Sequence, residues 1–135
     1  MKMLLGLILM MSFSCNTVKQ DPSDPLIQLT KKRCFGKCPV YDLYVYKDGL
    51  VKYNGIDHVK RRGKHEFTLS EDQLTEIKNV FEAAGFETLE SQEKKVRDLP
   101  ITQVSFQHKK VQFIGNDIPK EVKKGIGLLE RIVGI

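Results

Sequence analysis

Apolar residues fall in three patterns along this chain. A continuous apolar run covers residues 3–11, and past residue 25 the apolar positions recur at alternating periods of two and of three to four. Period two marks a half-buried strand, and a period near 3.6 marks an amphipathic helix. Residues 26–30 and 41–46 carry the alternation and the β-forming residues of strands, joined by a turn over 34–39. Lys47-Asp48-Gly49 is a hairpin loop, and residues 50–53 are the return strand. A two-residue Asp-Gly turn would put Lys47 and Lys52 on the same face as Leu43 and Val45. A three-residue loop with Gly49 in the left-handed region separates the faces better. It places Tyr41, Leu43, Val45, Val51 and Tyr53 on one side and Asp42, Tyr44, Tyr46, Lys52 and Asn54 on the other. This register is preferred, because a one-residue slip sets charge against the core.

Asn54-Gly55 reads as the next turn, and residues 58–69 as one or two strands interrupted at Gly63. Ser70 is an N-cap, and Gln73 completes a capping box. Leu74, Ile77, Phe81 and Ala84 share one face of the helix that follows, and Gly85 stops it. Residues 87–97 are polar and without period. Residues 101–107 alternate again, with Val104 and Phe106 on one face. Val111 and Phe113 return on that face after a turn near His108-Lys109. Pro119 opens a last helix with Val122, Ile126, Leu129 and Val133 as its apolar stripe. Gly125 and Gly127 each weaken that helix by about 1 kcal/mol relative to alanine. The order ββββαββα predicts an α+β fold: an antiparallel sheet of about five to six strands with both helices packed on one face, which buries every stripe.

The apolar run at the start changes the picture of compartment. Lys2, nine apolar residues, then Ser12-Phe13-Ser14-Cys15 read as a bacterial lipoprotein signal peptide. The run is too short for a spanning helix, which needs about 20 apolar residues. Ser12 stands where a lipobox has leucine, and Ser12-Phe13-Ser14 also fits ordinary signal cleavage. Lipidation at Cys15 is preferred, because cleavage alone would leave an exposed unpaired thiol in an oxidising compartment. The expected organisation is a signal peptide over 1–14, a lipidated Cys15 with a flexible tether over 15–24, and a single α+β domain over 25–135. The protein is then expected in the cell envelope, lipid-anchored at the periplasmic face of either membrane or at the cell surface.

The formal charge is +5, and loss of Lys2 with the signal leaves +4. In an envelope protein this modest excess points to anionic headgroups or glycans, and no nucleic-acid partner is expected. Lys31-Lys32-Arg33 and Lys60-Arg61-Arg62-Gly63-Lys64 are basic clusters. They read as solvated strand edges or as contacts to anionic envelope material. Tyr44, Tyr46 and Lys52 share the sheet face away from the helices. Exposed aromatics beside a cation form a candidate binding surface for an envelope protein or glycan.

Cys34-Phe35-Gly36-Lys37-Cys38-Pro39 is the motif with chemistry in it. With Cys15 modified, the two remaining cysteines make an even pair outside the cytoplasm, which favours a structural disulfide. A tight turn through Gly36 brings their α-carbons within reach. The Cys-x-x-x-Cys-Pro pattern also resembles the signature of envelope copper chaperones of the thioredoxin fold. Two thiolates with His58, His65 or His108 would suit Cu(I). That family sets its motif between a strand and a helix, whereas a strand follows here. Thioredoxin-type redox sites have two intervening residues, and structural zinc needs four ligands.

Asp98, before Leu99-Pro100, reads either as a general base or as a turn carboxylate. No second carboxylate, nucleophile elbow or phosphate loop accompanies it. The expectation is a non-enzymatic, membrane-anchored binding module with no cofactor; the alternative is a copper- or thiol-handling protein using Cys34 and Cys38. Taken together, Cys34-x-Gly36-x-Cys38-Pro39-x-Tyr41, Asp48-Gly49-x-Val51-x-Tyr53-x-Gly55, Gly63, Asp98-Leu99-Pro100 and Pro119 resemble a family of bacterial envelope proteins. That family is catalogued only as a domain of unknown function, often on lipoproteins. The resemblance implies one domain and a lipoprotein context, and no activity.

Overall fold

The three-residue register of the first hairpin is the one the chain adopts. In a computed structural model that describes residues 24–93 and 98–135, Val45 pairs with Val51 and Leu43 with Tyr53, and Gly49 has φ +86°. Strands β1 (Ile27–Lys31), β2 (Val40–Val45), β3 (Leu50–Asp57) and β4 (Gly63–Thr68) precede helix α1 (Glu71–Ala83). After one 3-10 turn (Phe86–Thr88) come β5 (Ile101–Phe106), β6 (Lys109–Ile114) and α2 (Lys120–Val133). The six strands form one antiparallel sheet in the order β4-β3-β2-β1-β5-β6. The fold is the α+β arrangement that the ββββαββα order predicts. The expected signal peptide over 1–14, Cys15 and the expected tether up to residue 23 lie outside the described residues.

The registers line the inner face into rows that run across the sheet. One row is Tyr53, Leu43, Leu29, Val104 and Val111; the next is Phe67, Val51, Val45, Ile27 and Phe106. All but the partly covered Phe67 are buried. Ile77, Phe81, Val122, Ile126 and Leu129 from the helices join them in one core. Leu74, expected inside, is only partly buried at the margin. Burial of this much apolar surface is the main favourable term in holding the helices on the sheet.

Helix α1 starts as the capping box requires. Ser70 Oγ accepts the Gln73 N–H at 3.2 Å, and Gln73 Oε1 accepts the Ser70 N–H at 3.0 Å. The helix ends before Gly85 at φ +63°. Gly125 of α2 sits against the Phe81 ring: a Cβ there would lie 2.8 Å from Cε2. The glycine that lowers helix propensity is therefore what lets the two helices approach.

Three local expectations are corrected. Asn54-Gly55 is not a turn: β3 continues to Asp57, and the reversal lies over residues 58–62. Glycine is needed at 55 because the next loop folds over it. A Cβ would stand 1.9 Å from the Arg61 carbonyl oxygen. The β5–β6 turn is at Gln107-His108, both at positive φ (46° and 75°), one residue before the expected place. Residues 86–93 are not wholly irregular. After the 3-10 turn, the Gln92 N–H donates to the Gln112 carbonyl at 2.8 Å, and the Gln112 N–H donates to Ser91 Oγ at 3.0 Å. This segment covers the free edge of β6, which would otherwise present unpaired backbone groups.

Candidate functional site

The sheet face without helices is polar and follows from the same alternation. Glu66, Lys52, Tyr44, Gln28 and Ser105 make one row across it. Tyr44, Tyr46 and Lys52, singled out from the sequence, do come together: Tyr44 pairs directly with Lys52, whose Nζ stands 5.5 Å from the Tyr46 ring centroid. With Asp42, Asn54 and Lys64 they line a shallow recess of about 410 Å³. Partial burial, with Asp42 and Tyr46 nearby, raises the Tyr44 pKa. Its hydroxyl therefore stays protonated at neutral pH and can donate to a ligand acceptor. Aromatic rings beside a cation offer stacking and hydrogen bonds, and His65 and Glu66 join the lining beside Asp42.

The sheet end where β1 finishes holds the cysteine motif. Cys34 and Cys38 are joined in a disulfide, with their α-carbons 5.9 Å apart. Asp57 ties this loop to the β3–β4 loop. Its carboxylate accepts from Arg33 Nη1 at 2.8 Å and from Arg62 Nη2 at 3.0 Å, and the His58 N–H donates to Oδ1 at 3.0 Å. Desolvation pushes the Asp57 pKa up. The Arg33 hydrogen bond, the His58 charge and N–H, and the Arg33 charge outweigh it and hold the carboxyl below the usual range.

A second polar node lies on the inner face at this end, where the core rows give way to Tyr41, Lys31 and Thr102. Glu130 of α2 reaches down to it, and Oε1 accepts from both Lys31 Nζ and Tyr41 Oη at 2.5 Å. Burial pushes the Tyr41 pKa up, and the Glu130 charge and hydrogen bond push it further. Tyr41 is thus a fixed donor and a poor acid, and Glu130 is engaged by two donors, so the trio organises this end rather than moving protons. Sequence reasoning missed it. Tyr41 is in the core as its alternation predicts, but nothing local connects it or Lys31 with a glutamate 99 residues from Lys31.

The other candidates separate. His108 is in the β5–β6 turn at the opposite end, and His65 Nε2 pairs with the Arg62 carbonyl at 2.8 Å. Only His58 shares a small cavity with Cys34 and Cys38. Among the described residues, no three His, Cys, Asp or Glu side chains are grouped to hold a metal ion. Asp98 is exposed in the turn before β5, where its carbonyl, not its carboxylate, accepts the Phe35 N–H at 3.4 Å.

The cysteine loop, the hairpin glycine and both helices fall within one continuous stretch, and residues 25–133 match a family model described as Domain of unknown function (DUF6438). The chain belongs to the DUF6438 family. The DUF6438 match begins just before β1 and ends on the last residue of α2, so it takes in every strand and helix of the fold. It includes both the Tyr44–Tyr46–Lys52 face and the disulfide end. No curated protein matches the chain. Among the described residues, no helix is long and apolar enough to cross a membrane.

Proposed function

We propose that this DUF6438 chain is a non-enzymatic, lipid-anchored binding module of the bacterial cell envelope. It is held to a membrane through Cys15 and presents Tyr44, Tyr46 and Lys52 to an envelope protein or glycan. The observation that carries the reading is the closed Cys34–Cys38 bond. Structural disulfides persist in exported proteins and are reduced in the cytosol. A bonded pair leaves Cys15 as the odd cysteine, at the end of a signal-like segment where lipidation would use it. The tyrosine recess supports binding, because its rings, its cation and the Tyr44 hydroxyl offer a ligand stacking and hydrogen bonds.

Membrane fractionation of cells making the full chain tests the anchor. Wild type is expected in the membrane fraction with a lipid-modified N-terminal peptide, and Cys15→Ser in the soluble fraction or as an uncleaved precursor. A mature, lipid-free wild-type chain starting at Cys15 contradicts the reading. Tyr44→Ala with Tyr46→Ala is expected to weaken co-sedimentation with purified cell-wall glycan, with the fold unchanged.

A thiol- or copper-handling reading rests on His58 lining the cavity of Cys34 and Cys38. It requires reduced thiols in the purified protein and a thermal shift on adding Cu(I) that His58→Ala removes.

A further inference from the structure

The fold collects at one end of the sheet what the sequence scatters. The basic runs 31–33 and 60–62 both reach the disulfide end, one leaving β1 and the other in the β3–β4 loop, linked through Asp57. Lys37 from the disulfide loop and Lys123 from α2 join Lys31 and Lys32 around a groove of about 400 Å³, with Thr102, a buried polar residue, also in its lining. Of these four lysines, only Lys31 has an acidic partner among the described residues, Glu130.

The exposed large apolar residues gather there too. Phe35 is 87% exposed on the disulfide-closed loop, and Leu99, 42% exposed, follows Asp98, whose carbonyl accepts the Phe35 N–H. Ile56, 41% exposed, adjoins Asp57 at the end of β3. The opposite end presents no such side chain among the described residues.

We propose that this end docks on an anionic phospholipid surface, with Phe35 and Leu99 entering the headgroup–acyl boundary and a lipid phosphate seated among Lys31, Lys32, Lys37 and Lys123. Aromatic rings settle at that boundary, and lysine stems lie along apolar surface while their ammonium groups stay in water. Juxtamembrane lysines are drawn to the negative potential of anionic lipid. Lysine binds a phosphate as a compact point charge. The disulfide limits the motion of the loop, so presenting Phe35 costs little ordering. The site lies at the far end of β1 from Asp24, about 17 Å along a five-residue strand. The proposal concerns the described residues alone and does not depend on the proposed function above.

The chain has no tryptophan, so Phe35→Trp provides a single fluorescent reporter. All of the core lies between Leu26 and Val133, so the chain from Asp24 onward can be tested without signal or lipid. Emission is expected to shift to the blue with phosphatidylglycerol vesicles at low salt and not with phosphatidylcholine vesicles. Changing Lys32, Lys37 and Lys123 together to glutamine is expected to weaken partition on the order of a hundredfold. Phe35→Ser, at an exposed position that cannot disturb the core, is expected to weaken it as well. No blue shift on phosphatidylglycerol, equal binding to phosphatidylcholine, or indifference to both sets of variants overturns the proposal. Displacement from vesicles by millimolar glycerol phosphate also overturns it, in favour of a site for small soluble anions.

Discussion

The two ends of the sheet are held by different means. At the end nearest Asp24, turn and cap side chains bond sequence neighbours, and the longer ties are backbone ones, such as the Gln107 N–H to the Leu26 carbonyl at 3.2 Å. Asp48 Oδ1 accepts the Leu50 N–H at 3.0 Å, the Gly49 N–H donates to the Tyr46 carbonyl at 3.0 Å, and Ser70 and Gln73 cap each other. At the disulfide end, side-chain ties also reach between distant segments. Arg33 holds Asp57, Lys31 and Tyr41 hold Glu130, and the Arg61 carbonyl crosses Gly55 and accepts from Tyr53 Oη at 3.0 Å. Local closures are nearly independent of one another, whereas long-range ties share partners and couple. The coupled end is also the one that gathers cations and exposed apolar groups. Its shape is held by the tertiary structure, which leaves its outward side chains free for contact.

The comparison breaks most visibly if the ends do not share one core. Phe81 packs against Phe86 and Phe106 beneath both helices, with ring centroids 5.7 Å away in each case. Phe81→Ala is expected to cost about 3–5 kcal/mol in chemical denaturation and to lower hydrogen-exchange protection at both ends together. Protection retained at one end would mean two separately stable units. Gly55→Ala sharpens the view of the coupled end. The added methyl meets backbone, not a flexible side chain, so a loss of about 2–3 kcal/mol is expected by the same measurement. A neutral result would show that the β3–β4 loop does not hold its place over Gly55. At the other end, Ser70→Ala removes one local cap, and about 1 kcal/mol is expected, additive with Gly55→Ala.

The smallest effect at neutral pH is the titration of Tyr41. Its folded pKa is raised by burial and by Glu130, so its contribution to stability is complete below the ordinary tyrosine value of about 10 and is lost as pH rises beyond it. The unfolded chain ionises there while the folded one resists. Denaturation midpoints are therefore expected to fall above that pH, and to fall less steeply in Tyr41→Phe.

How far the sequence was legible follows the same division. The hairpin register was readable because only one choice kept Lys52 off the core, and the α1 start because Ser70 and Gln73 stand at capping distance. Tyr44, Tyr46 and Lys52 were placed together once that register was chosen. Asn54-Gly55 misled, because a dipeptide favoured in turns serves here to let a distant carbonyl pass. Gln107 has no special liking for positive φ, and histidine only a modest one; the pairing of β5 with β6 imposes it on both. The Lys31–Tyr41–Glu130 node and the meeting of the two basic runs depend on how α2 and the loops pack, which no local pattern encodes.

The central claim is that Cys34 and Cys38 form a structural bond at the working end of an exported domain. Mass spectrometry of the full chain, purified from membranes without reductant and alkylated before digestion, tests it most directly. The account predicts a disulfide-linked peptide containing both residues and no alkylation at either. It also predicts that Cys34→Ser with Cys38→Ser keeps the fold and costs about 2 kcal/mol. Recovery of Cys34 and Cys38 as two alkylated thiols would contradict it and turn attention to the thiol- and copper-handling reading.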